Sequence, residues 1–278
     1  MLVSMAEILN EARKKNYAVA MPYVWNEDST RASLAAAEAC NSPIILGTVG
    51  APKMWEWAMY GRFLAQNAKV PVAINQDHGG DFDSAIGCIR AGFTSIMVDR
   101  SKLPFEENVA QVKQLTDIAH AVGVSVEAEL GHVGQGVQYD EDRNAGLTDV
   151  QEASKFVAAT GVDCLAVAIG TAHGSYMGEP HIDFDLLEKL ASTLDIPLVL
   201  HGGSGTGDDN LARACKSGIN KVNLYTDLSK TAMDYLRDAA DDVFDANDHL
   251  PVLEEKAYQG FTDNLMHYIK VFGAENKA

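Results

Sequence analysis

Eight short apolar runs, each followed by a helical pattern, recur along the 278-residue chain with no break in composition between them. The runs lie at 17–21, 43–47, 70–78, 94–99, 124–130, 164–169, 197–201 and 221–224. Helical periodicities fill the gaps, at 30–40, 54–66, 83–91, 105–122, 149–160, 183–193 and 208–217, with one at 5–15 ahead and two, 227–243 and 252–270, behind. Continuous apolar strands are covered on both faces, and that means parallel pairing. Eight β/α units in about 230 residues favour a closed barrel over an open doubly wound sheet. The expected architecture is α/β: one (β/α)8 TIM barrel with additional C-terminal helices, forming one domain over residues 1–278.

Composition narrows the partners. The net charge of −17, with no basic stripe to offset it, argues against nucleic acid and against an anionic membrane. No window is long and apolar enough to span a bilayer, and the first residues lack a basic region followed by an apolar run. Cys40, Cys88, Cys164 and Cys215 are scattered without CxxC spacing, and read as buried free thiols. These features read as a cytoplasmic protein.

Polar residues interrupt the apolar runs at one end only. Asp77 and His78 end the third strand, Asp99 the fourth, Glu129 the fifth, His201 the seventh and Asn223 the eighth, and His173 lies just past the sixth. In a barrel these are C-terminal strand ends, the face that carries active sites. One such residue is ordinarily a cap or turn former; six strands ending this way is a pattern. Three histidines from three strands fit a zinc site that keeps a fourth position open. Asp77 is then a partner to a ligand or a general base beside the substrate. Gly202-Gly203-Ser204 after the seventh strand and the segment 223–226 after the eighth occupy the two loops where barrels commonly hold phosphate.

Taken together, Asp77-His78-Gly79, Val98-Asp99-Arg100-Ser101, the run 126–131, the run 168–174, the run 200–205 and the run 221–226 resemble the class II, zinc-dependent fructose- and tagatose-bisphosphate aldolases, in the family's order and over essentially the whole chain. The resemblance implies a lyase of carbohydrate metabolism (glycolysis in the commonest case) that reversibly cleaves a ketose (bis)phosphate to dihydroxyacetone phosphate and an aldehyde. It implies that His78, His173 and His201 hold the catalytic Zn2+, and that Asp99 and Glu129 serve an alternative or second metal position. It makes Asp77 the residue that takes the proton from the C4 hydroxyl. It places the phosphate on Gly174, Gly202, Gly203, Ser204, Asn223, Leu224, Tyr225 and Thr226, often with Na+ or K+ nearby, and it implies a homodimer or homotetramer. Lewis acidity at the metal removes the need for a Schiff-base lysine, and the one lysine in these strands, Lys221, is read as beginning its strand.

Three departures stand against the family pattern. The loop after the fifth strand lacks the usual Gly-Gly-Glu-type motif, which leaves Glu141 as the proton carrier to the three-carbon fragment. Tyr225 stands where a small or acidic residue is common, and the segment 245–251 has no arginine to hold a distal phosphate. The first strand ends in Met21-Pro22-Tyr23-Val24-Trp25, whose aromatic bulk would reshape the aldehyde pocket if it faces the site. These departures admit a ketose 1-phosphate, or another modified ketose, as the substrate. A zinc barrel hydrolase and a catalytically silent partner subunit are the other readings. Intact Asp77 and the full histidine trio argue against the silent subunit; a phosphate cradle directly behind His201 argues against the hydrolase.

Overall fold

The computed structural model describes residues 1–48, 54–136, 146–174, 176 and 180–278. The eight strands are β1 (Val19–Pro22), β2 (Ile44–Thr48), β3 (Val72–Gly79), β4 (Ser95–Val98), β5 (Ser125–Leu130), β6 (Cys164–Val167), β7 (Leu198–Leu200) and β8 (Ile219–Leu224). All pair in parallel, and the sheet runs β1-β8-β7-β6-β5-β4-β3-β2. A parallel bridge between Tyr23 and Gly47 brings its two ends together, the Val24 N–H donating to the Gly47 carbonyl at 2.8 Å. The sheet is thus a nearly closed barrel, as the eightfold alternation predicts.

A helix follows each of β1 to β7: α2 (Glu27–Ala39), α3 (Met54–Asn67), α4 (Phe82–Ala91), α5 (Phe105–His120), α6 (Val150–Thr160), α7 (Phe184–Thr193) and α8 (Asp208–Lys216), and α2, α3, α4, α5 and α8 pack on the next strand in the chain. α1 (Met5–Lys14) touches β1, β3 and β8, strands that are not all neighbours, so it lies across the N-terminal opening. Its Met5, Leu9 and Ala12 are fully buried there. After β8 the chain makes a long hairpin, α9 (Thr226–Asp245) and α10 (Leu250–Val271), and α10 returns to pack on α2 and β1. Among the described residues no helix is long and apolar enough to cross a membrane. All four cysteines are buried free thiols, as expected from their spacing.

Most boundaries fall within two residues of the sequence expectation, and two of the differences have an identifiable cause or consequence. α2 begins at Glu27, three residues early, because Asn26 and Ser29 form a reciprocal capping box. β8 begins at Ile219, so Lys221 does not open its strand but sits inside it, with its side chain fully buried. A strand's apolar pattern hides a buried lysine, since only its partner makes burial tolerable.

Candidate metal and substrate site

Strand closure brings the C-terminal ends of β3, β6 and β7 to one rim, and the three histidines meet there. His78 Nε2 lies 3.3 Å from His173 Nε2 and 3.1 Å from His201 Nδ1, and His173 Nε2 lies 3.4 Å from His201 Nδ1. Zn–N bonds of about 2.05 Å in a tetrahedral site set ligand nitrogens about 3.3 Å apart. The triangle therefore has the size a tetrahedral metal requires. A second observation points the same way. Among the described residues, the buried Glu129 Oε2 has no hydrogen-bond partner, and it lies 4.0 Å from His201 Nδ1. His78, Asp99 and Glu129 form a second group whose ligand atoms lie within 4.8 Å of one another.

Neighbouring carboxylates set which nitrogen of the His78 and His201 rings faces the centre. His78 Nδ1 donates to Asp99 Oδ2 at 3.0 Å, and Asp99 Oδ1 accepts from the Ser101 N–H and hydroxyl at 3.0 and 2.8 Å. His201 Nε2 donates to Glu127 Oε1 at 2.9 Å. Carboxylate partners of this kind fix the tautomer and raise the basicity of a ligating imidazole.

Without a metal, burial works against the charged form of His78. The Asp99 hydrogen bond and the charges of Asp77 and Glu129 overcome it and lift the group to about 9. Burial, joined by the facing rings of His201 and His78, lowers His173 to about 4. Asp99 is held well below the usual carboxylate range: burial opposes this, but the His78 and Ser101 hydrogen bonds prevail. Four carboxylates (Asp77, Asp99, Glu127 and Glu129) gather around the trio, with Lys221 as the ammonium among them. Such a pocket attracts a cation.

Asp77 and His78 are adjacent, and a regular strand would send them to opposite faces. His78 instead adopts φ +44°, and the β3–β4 register slips between Gln76 and Gly79. This local turn lets both side chains reach the same rim. Asp77 Oδ1 accepts from Asn223 Nδ2 at 3.2 Å.

The predicted phosphate loops lie side by side. Gly202 takes φ +71°, and a Cβ there would fall 2.1 Å from the Ala172 carbonyl, so this turn accepts only glycine. Ser204 Oγ accepts from the Tyr225 and Asp227 N–H groups at 3.3 and 3.2 Å, tying the β7 loop to the start of α9. Gly203 N–H is engaged by the Asn223 carbonyl, and the Leu224 side chain is buried. Gly174, directly after His173, is exposed, and Thr226 opens α9 half-buried.

Tyr225 is 51 % exposed and meets Tyr23 and Trp25 edge-on at centroid distances of 4.9 and 6.0 Å, which makes an aromatic rim between the β1 and β8 loops. Glu141 lies outside the described residues. The segment 245–251 forms the far turn of the α9–α10 hairpin. Twenty residues of α9 put it about 30 Å from the rim of its own barrel.

Three further participants escaped the sequence reading. Glu127 shares a strand face with Glu129 at i+2, a signal available in the sequence. Lys221 stands in the same relation to Asn223. Tyr176 has no such signal: its hydroxyl accepts from the Ala172 N–H at 2.8 Å and donates to the Gly202 carbonyl at 3.1 Å, pinning the loops after β6 and β7 together.

A family model described as fructose-bisphosphate aldolase class-II matches residues 3–277. A fructose-bisphosphate aldolase of Geobacillus stearothermophilus is 45% identical over 235 residues, 81% of each chain. One of Staphylococcus aureus is 37% identical over 100% of this chain and 99% of its own. The crystal structure of the YdjI aldolase from Escherichia coli K12 superposes with a TM-score of 0.89 at 33% identity, covering 100% of both chains. Aldolases of this class are typically metal-dependent, in keeping with the histidine cluster. The chain belongs to the class II fructose-bisphosphate aldolase family and is an aldehyde-lyase on a (β/α)8 barrel.

Proposed function

We propose that the chain is a zinc-dependent aldolase that reversibly cleaves a ketose phosphate to dihydroxyacetone phosphate and an aldehyde. The observation that carries this reading is the triangle of imidazole nitrogens, 3.1 to 3.4 Å on its edges, beside Asp77. His78, His173 and His201 hold the Zn2+, with Glu129 and Asp99 available for a second position. Bound there, zinc supplies Lewis acidity to the ketose carbonyl as the C3–C4 bond breaks. Asp77 takes the proton of the C4 hydroxyl, its carboxylate oriented by Asn223. The cradle formed by Gly174, Gly202, Gly203, Ser204 and the segment 223–226 holds the phosphate and fixes the reacting carbons over the metal, with Na+ or K+ beside it. Glu141 returns a proton to the three-carbon fragment. The protein works in the cytoplasm as a homodimer or homotetramer of one-domain chains.

The aromatic rim of Tyr23, Trp25 and Tyr225 favours a second reading of the far end of the substrate. Aromatic faces suit the carbons of an unphosphorylated sugar chain better than a second phosphate, so a ketose 1-phosphate competes with fructose 1,6-bisphosphate. Release of dihydroxyacetone phosphate from a panel of ketose 1-phosphates and 1,6-bisphosphates, with and without chelator, tests both. Chelator-sensitive release from a member of the panel supports the aldolase. A faster rate with the bisphosphates removes the second reading, and no release from any sugar removes the first.

A further inference from the structure

Beneath the histidine trio lies a charged group that the aldol chemistry itself does not call for. Glu127 and Lys221 are both fully buried inside the barrel, on β5 and β8. Lys221 Nζ donates to Glu127 Oε2 at 2.7 Å and to Asn223 Oδ1 at 2.9 Å. The other oxygen of Glu127 receives the His201 Nε2–H at 2.9 Å, and the Asn223 amide reaches Asp77 at 3.2 Å. Burying two charges is costly and seldom repaid in stability alone. Here every polar atom of the pair also acts on a neighbour that touches the reaction.

We infer that Glu127 and Lys221 are positioning residues that connect the metal ligand His201 to the base Asp77 through one buried circuit. The inference rests on the zinc-aldolase reading above. Glu127 pairs with the Lys221 ammonium through Oε2 and faces His201 Nε2 with Oε1, a setting that a carboxylate fits. An ionised Glu127 accepts only, so His201 carries its proton on Nε2 and turns an unprotonated Nδ1 toward the trio. At the other end the ammonium donates only. Asn223 must therefore point its oxygen at Lys221, and its NH2 falls on Asp77 Oδ1 while also lying 3.2 Å from His201 Nε2, whose proton is turned to Glu127. The same pairing that makes the lysine tolerable inside the barrel thus fixes a tautomer at the metal and an amide orientation at the base.

Two neutral double variants separate the arms without leaving a lone buried charge. Glu127→Gln with Lys221→Met keeps an oxygen for His201 but removes the donor to Asn223. Zinc affinity is expected to stay near that of the unaltered chain, while kcat falls about 10- to 100-fold with KM little changed. Glu127→Met with Lys221→Met removes the oxygen as well. Zinc, titrated against a colorimetric chelator, is then expected to bind about 10- to 100-fold more weakly, and the visible spectrum of the Co2+-loaded protein to shift.

Unchanged kcat in the first variant, or unchanged zinc affinity and Co2+ spectrum in a folded second variant, overturns the corresponding arm. A measurement on the unaltered zinc-loaded chain guards against misfolding. 15N-edited NMR of His201 should show the proton on Nε2, and a proton on Nδ1 overturns the inference. An unaltered chain that neither binds zinc nor cleaves any ketose phosphate would instead remove the underlying aldolase reading.

Discussion

Among the described residues Asp77 is held by one amide, Asn223 Nδ2 at 3.2 Å, and has no part in the histidine triangle. Its removal should therefore separate proton transfer from metal binding. Asp77→Ala is expected to lower kcat by about 10²- to 10⁴-fold, the range for loss of a positioned base. Metal content, measured by atomic absorption on the same preparation, should stay at the value of the unaltered chain; loss of metal along with activity would mean that Asp77 holds the trio rather than the proton. Gly202 gives a second prediction at this scale. Gly202→Ala puts a methyl 2.1 Å from the Ala172 carbonyl at φ +71°. The backbone must shift, so the variant should lose more than about 1 kcal/mol of stability. KM for the phosphorylated substrate should rise with it, since the displaced loop is the proposed anion cradle. A denaturant titration and a substrate-saturation curve read the two effects.

At the scale of elements, the helices are set largely by local signals and contribute to the site only by holding its strands. Asp149 caps α6, its carboxylate accepting from the Gln151 and Glu152 N–H groups at 2.9 and 2.8 Å. Asp149→Ala should cost about 0.5–2 kcal/mol and leave kcat and KM unchanged. Denaturant midpoints beside steady-state kinetics check this, and a fall in kcat would show that α6 positions the β5 or β6 loop directly. The loop after β5 is the contrasting case. Its Gly134 and Gln135 pair in parallel with Ala172 and His173, so part of that loop is built onto the segment that carries a proposed metal ligand.

For the whole molecule, a metal that binds the folded barrel and not the unfolded chain adds stability by mass action. At a free zinc concentration of 100 times Kd the gain is about 2.7 kcal/mol. Chelator treatment should thus lower Tm as well as abolish activity, and added zinc should restore both. Calorimetry with and without chelator measures it; an unchanged Tm with lost activity would place the metal on the substrate rather than on the three histidines. The net charge of −17 does not count against an anionic substrate, because the cation and oriented amides set the local potential.

The sequence by itself determined the barrel and the rim. Strand periodicity and helix caps are local, each readable within about ten residues, and eight parallel β/α units have one compact way to close. Closure then places every C-terminal strand end on one face, so His78, His173, His201, Asp99, Glu129 and Asn223 could be named together before any coordinate was known. What only the tertiary structure decided is which atoms of those residues meet. His201 finds Glu127 across 74 residues and Lys221 finds Glu127 across 94, pairings that no local pattern encodes. Lys221 reads as an edge residue until its partner is seen, because a buried charge is intelligible only with its counter-charge. The left-handed backbone at His78 is likewise invisible in the sequence: an Asp-His pair states two side chains, and the barrel's packing decides that both turn inward.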